Sequence, residues 1–167
     1  MHTFTRLWRH LTMTKANGKR MFPEQTLMDI QSAIAEGETM HKAEVRLIVE
    51  PSHDLSAILA NVGSRQRAAE LFGLYRIWDT ERNCGVLIYI NLADHQVEII
   101  ADRGIASLIT NEHWQSICAT MTTGFARGNY RDSAIAGIRQ LNELVQQYLP
   151  EDAIPQQNQL SDQPIML

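Results

Sequence analysis

DTERNCGVLIYINLADHQVEIIADRGI, Asp79 to Ile105, decides the fold, because two apolar runs face each other across one short linker. Gly85 to Asn91 is apolar almost without interruption, as a central strand covered on both faces should be. Val97 to Asp102 comes closer to alternation. The linker between them, Leu92 to Gln96, is too short for a crossover, so the two strands run antiparallel as a β-hairpin. That orientation brings Asp79, Glu81 and Asn83 to the same end of the sheet as Asp102 and Arg103.

Upstream, EVRLIVE from Glu44 to Glu50 alternates as a strand and stops at Pro51. Residues 51–63 read equally well as a short helix or a loop. Ser64 is a good N-cap for the helix RQRAAELFGLYRIW, with Ala68, Leu71, Tyr75 and Trp78 at helical spacing. Gly73 inside it costs about 1 kcal/mol relative to Ala, a cost that a close contact with the sheet would explain. Strand, helix and strand over this distance imply a right-handed crossover, so Glu44–Glu50 lies parallel to Gly85–Asn91. Glu44 and Arg46 therefore join the end that carries Asp79, Glu81 and Asp102. Glu50, Asp94 and His95, and with them His53, fall at the opposite end.

Phe22-Pro23-Glu24 opens a helix with Leu27, Ile30, Ala33 and Ile34 inward and Gly37 as its stop. After the hairpin, Thr110 or Asn111 caps a helix with Trp114, Ile117, Cys118, Met121 and Phe125 on one face. A last helix from about Tyr130 to Leu149 buries Ile135, Ile138, Leu141, Leu144, Val145 and Tyr148. The expected architecture is α/β: a three-layer α/β/α sandwich around a small mixed sheet with one parallel crossover and one hairpin. Three segments follow, namely a basic extension over 1–21, the folded domain over 22–150, and a Gln- and Pro-rich flexible tail over 151–167.

Composition narrows the function. The 167 residues suit one domain, and a net charge of −4 argues against nucleic-acid binding. Five of the 15 Lys and Arg residues lie within positions 1–20, where no acid occurs, so the remaining 147 positions carry 10 basic against 19 acidic groups, a net of −9. Phe4, Leu7, Trp8 and Leu11 would gather on one side of a short helix there. The segment is either a loosely ordered extension or a helix that docks on a membrane surface or a membrane protein. Cys84 and Cys118 lack a CxxC or Cys/His spacing and read as packed thiols. Without a secretory core or an apolar span, the expected location is cytoplasmic, with peripheral contact to the inner membrane as the sharper alternative. No glycine fingerprint for a nucleotide occurs, and no organic cofactor is expected.

Asp79, Glu81, Asn83 and Asp102 supply the hard oxygen ligands that Ca²⁺ or Mg²⁺ prefers, with Arg46 and Arg103 placed to contact an anion or phosphate. The plainer reading has Asp79 capping the turn after Trp78 and Asp102 pairing with Arg103 or Arg46. No nucleophile is evident, so the catalytic residues are unknown. Histidines 2, 10, 41 and 113 are expected at the surface.

EVRLIVE, RQRAAELFGLYRIWDT, NCGVLIYINLADHQVEIIADRGI, and the later Trp114, FARGNY and Gly137-Ile138 together resemble the TPM domain family, from about Ala43 to Pro150. The version here is similar to short bacterial members without signal peptide or membrane helix. That resemblance implies an α/β/α fold, divalent-cation binding as in some members, and the acid phosphatase activity reported for the plant branch. The expected function is a divalent-cation-binding interaction module for membrane-protein or quality-control partners. The alternative is a metal-dependent phosphatase of low specificity acting on phosphomonoesters.

Overall fold

The computed structural model describes residues 2–152 and 157–167, with side chains from residue 4 onward. In chain order the elements are α1 (His2–Thr12), α2 (Lys15–Met21), α3 (Glu24–Glu38), β1 (Glu44–Glu50), α4 (Leu55–Leu59), α5 (Ser64–Leu74), β2 (Gly85–Asn91), β3 (Gln96–Ala101), α6 (Arg103–Ala106), α7 (Asn111–Phe125), α8 (Tyr130–Tyr148) and β4 (Ile165–Met166).

The sheet order is β3-β2-β1-β4, with β1 parallel to β2, β2 antiparallel to β3, and β4 parallel to β1. The expected hairpin and crossover are both present. Glu44 pairs with Gly85 and Glu50 with Asn91, so the two parallel strands start and finish together. On one face Val45, Leu47, Val49, Val86, Ile88 and Ile90 pack with α3, α7 and α8 through Ile30, Ile34, Ile117, Met121, Ile138 and Leu141. On the other, Ile48, Leu87 and Tyr89 pack with Ala68 and Leu71 of α5, and with Leu160, Ile165 and Leu167. Period-two alternation along β1 and β2 thus feeds two cores, which is why β2 is buried throughout.

Several details depart from the expected pattern. The crossover helix ends at Leu74, not Trp78, because Arg76 takes a left-handed φ of 53°. Ile77 then turns into the core, while Trp78 stays 46% exposed. Gly85 follows closely: a Cβ there would lie 1.9 Å from the Ile77 carbonyl oxygen, so the turn can pass this near only a glycine. Open space surrounds Gly73, so no sheet contact explains it. Tyr148 is 42% exposed, beyond the buried stripe of α8.

Of the expected tail, residues 153–156 lie outside the described residues. Beyond them the chain returns to the domain. Ile165 and Met166 pair with Ile48 and Val49, and the Gln159 and Leu160 N–H groups donate to Glu44. The basic extension forms α1 and α2 and packs against the domain, with Gly18 buried near Pro51. Among the described residues, no helix is long and apolar enough to cross a membrane.

Candidate metal centre

The C-terminal ends of β1 and β2 lie side by side, and the polar residues that close these strands meet there. Glu50 ends β1. Asn91 ends β2, with Tyr89 two residues before it on the same face. In parallel sheets this rim is where loops can converge on a ligand. The Glu50 carboxylate receives the Arg67 fork, Nη2 at 2.8 Å and Nε at 3.1 Å, together with the Tyr89 hydroxyl at 2.5 Å. Burial, then the Glu50 charge, pushes the Tyr89 phenol well above its ordinary value, so Tyr89 remains a donor.

Asn91 is oriented by its own loop. The Asp94 N–H donates to Asn91 Oδ1 at 2.8 Å, which turns Asn91 Nδ2 toward His53 Nε2 at 2.8 Å and the Tyr89 oxygen at 3.1 Å. His53 Nε2 therefore accepts, which requires a neutral ring. Burial holds the His53 pKa below its ordinary value, which favours that neutral ring.

Helix α1 supplies the remaining groups. The His53 backbone N–H donates to His10 Nδ1 at 2.9 Å, so the neutral His10 carries its proton on Nε2 and directs it at Asp94 Oδ1, 3.1 Å away. Arg6 approaches from one turn earlier. Its Nε lies 3.0 Å from Asp94 Oδ1; its Nη2 lies 2.9 Å from Asp94 Oδ2, 2.6 Å from the Val62 carbonyl and 3.4 Å from His53 Nδ1. Burial alone would raise the Asp94 pKa, but the hydrogen bonds from Arg6 and His10 outweigh it and hold the carboxyl below its ordinary value.

His10, His53 and Asp94 each offer a ligand atom within 4.8 Å of the others, a group able to hold a metal ion. Among the described residues it is the one set of three imidazole, thiolate or carboxylate groups this close. The surface placement expected for His10 and His41 is corrected: both are buried, His10 by Asp94 and the His53 backbone, His41 by Asn142 Oδ1 at 3.1 Å from its Nε2. His113 is exposed as expected.

The acidic residues singled out from the sequence lie at the other rim. Asp102 N–H donates to the Gly85 carbonyl, and Gly104 N–H to that of Asn83, so these segments do share one end. Asp79 is 57% exposed, with Arg76 Nη2 at 3.7 Å. Glu81 is exposed, and its backbone N–H donates to Gln159. Asn83 has a φ of 52°, and its Oδ1 is 3.5 Å from Arg103 Nη2. Asp102 caps α6 by accepting from the Arg103 N–H at 2.7 Å. Arg46 donates to the Ser161 carbonyl. Asp79, Glu81 and Asp102 do not form a close set of three.

A mixed four-stranded sheet with helices packed against it defines the class of domain. Residues 17–144 match the TPM domain, and the chain belongs to that family. No curated protein matches it. Among solved structures, the chain is similar to the NMR structure of the BA42 protein from the psychrophilic bacterium Bizionia argentinensis, with a TM-score of 0.75 and 21% identity over 86% of this chain and 93% of that one. The similarity is one of fold.

Proposed function

We propose that this chain is a divalent-cation-binding TPM domain whose ion is held by His10, His53 and Asp94, and that it serves as a binding module. The convergence of two buried imidazoles and one carboxylate carries this reading. That donor set suits zinc or a similar ion better than Ca²⁺ or Mg²⁺, which prefer oxygen. The guanidinium of Arg6 supplies the positive charge between Asp94 and His53, so an ion enters by exchanging with it. To ligate through Nε2, His10 would shift its proton to Nδ1 and give up the bond it accepts there from the His53 N–H. A binding role is supported by the packed cysteines: burial pushes both thiols up, Cys118 to about 11. Membrane-protein or quality-control partners are what the family resemblance suggests.

Two further readings each have one observation in favour. A Ca²⁺ or Mg²⁺ site at Asp79, Glu81, Asn83 and Asp102 is supported by Asp102 Oδ2, which is buried and finds no hydrogen-bond partner among the described residues. Phosphomonoester hydrolysis is supported by Arg9, whose Nη2 is 3.6 Å from Asp94 and whose side chain is 41% exposed, placed to meet an anion beside the ion.

Thermal unfolding in zinc, calcium and magnesium, each added separately, tests these readings. Stabilisation by zinc that is lost in His53→Gln and Asp94→Asn but kept in the double variant Asp79→Asn, Asp102→Asn supports the main reading. A calcium response lost only in the double variant moves the site to the other rim. No response to any ion overturns both. Metal-dependent turnover of p-nitrophenyl phosphate, abolished by Asp94→Asn and weakened by Arg9→Ala, would make the domain a hydrolase.

A further inference from the structure

Helix α1 is amphipathic with its polar side turned inward. Arg6 and His10 fix that side on Asp94, Val62 and His53. Phe4, Trp8 and Leu11 consequently face outward at 75%, 63% and 60% exposure, a row at i, i+4 and i+7. Neighbouring α4, against which α1 packs, adds exposed Leu55 and Leu59. An apolar row on adjoining helices is unlike the other large exposed apolar residues, Met28 on α3, Leu74 on α5, Tyr148 on α8, and Trp78 and Leu108 in loops.

We propose that the outward face of α1 docks on an anionic lipid surface. The charge of this segment points to the occupant. Arg9 on α1 and Lys15, Lys19 and Arg20 on α2 are at least partly exposed, and positions 1–20 contain no acid, whereas the rest of the chain is acidic. A Trp/Phe/Leu row on a segment rich in lysine and arginine and free of acids fits the headgroup boundary, where aromatic and aliphatic side chains enter the acyl region and cations meet lipid phosphates. A neutral apolar protein groove would offer no counter-charge to Lys15, Lys19 and Arg20. The inner face keeps its bonds to Asp94 while the outer face meets lipid, so docking requires no unfolding and does not depend on an ion.

Flotation of the full chain with vesicles of phosphatidylcholine, with and without about one third phosphatidylglycerol, tests the proposal. The expected result is binding to the anionic vesicles that weakens with salt, accompanied by a blue shift of tryptophan emission as Trp8 leaves water. Phe4→Ser, Trp8→Ser, Leu11→Ser together, on the face away from Asp94, should bind about tenfold more weakly with an unchanged melting temperature. Absence of binding to anionic vesicles would overturn the proposal, as would undiminished binding by the triple variant. Concentration-dependent dimerisation lost in that variant, with no flotation, would assign the face to a second copy of the chain instead.

Discussion

Arg6 and Asp94 stand 88 positions apart in the chain, yet the guanidinium Nη2 lies 2.9 Å from Asp94 Oδ2, with 15% and 8% of the two side chains exposed. This pair fastens α1 over the parallel rim of the sheet. It also places a cation of the protein's own beside the proposed metal ligands Asp94 and His53.

Removing the guanidinium should therefore act in two directions. Arg6→Met leaves Asp94 with one fewer charged partner and should lower stability without metal by about 1–3 kcal/mol. The same change should tighten zinc binding, because the ion no longer competes with Arg6. Chemical denaturation and calorimetric titration of the same variant check both halves.

Two glycines in helices should respond oppositely to alanine. At Gly73 nothing lies within 4 Å of the added Cβ, so Gly73→Ala should stabilise by about 0.5–1 kcal/mol through helix propensity. At Gly37 the Cβ would fall 2.2 Å from the Asn142 amide, which is pinned by the Ala33 carbonyl and His41. Gly37→Ala should destabilise by about 1–3 kcal/mol. Melting temperatures decide both.

Burial raises the Glu38 pKa from 4.5 to about 9, although the Val45 N–H donates to its carboxyl. Between these values the unfolded chain has released the proton that the folded chain retains, so Glu38 makes stability fall as pH rises from about 4.5 toward 9. Glu38→Gln keeps an acceptor for Val45 and removes the titration. The variant should flatten this alkaline decline and gain stability at pH 8 by at least ~1 kcal/mol. Denaturation across pH checks it, and an unchanged slope would contradict it.

Residues 157–167 should contribute to stability, because Leu160, Ile165 and Leu167 pack on the second core and β4 extends the sheet. A chain ending at position 156 should unfold at lower denaturant by several kcal/mol. It should also free Glu44 from the amides of Gln159 and Leu160. An unchanged midpoint would mean that the segment only rests on the surface.

The sheet was legible because β1, β2 and β3 each carry an apolar run long enough to show its period, and the short loop after β2 leaves one orientation. Strand β4 was not: two residues after a Gln- and Pro-rich stretch have no period to read. The end of α5 was hidden in the left-handed conformation of Arg76, where glycine would be the usual signal. Of the candidate metal centre, the sequence placed His53 and Asp94 correctly at the rim opposite the acidic residues. Their meaning depended on His10, which arrives from 84 positions away on a helix that the sequence marked only as a loosely ordered extension or a docking segment. The usable clue was chemical: positions 6, 9 and 10 of that helix are basic or imidazole, and an acid, Asp94, lies in the loop after β2 at the rim they could meet.

Cobalt(II) titration followed by visible absorption tests the central claim most directly, since its bands report ligand type and geometry without interference from protein. The account predicts saturation at one cobalt per chain, with bands of a low-coordinate nitrogen and oxygen site, reversed by zinc and missing from His53→Gln and Asp94→Asn. A spectrum indistinguishable from aqueous cobalt, or bands that survive in both variants, would contradict it.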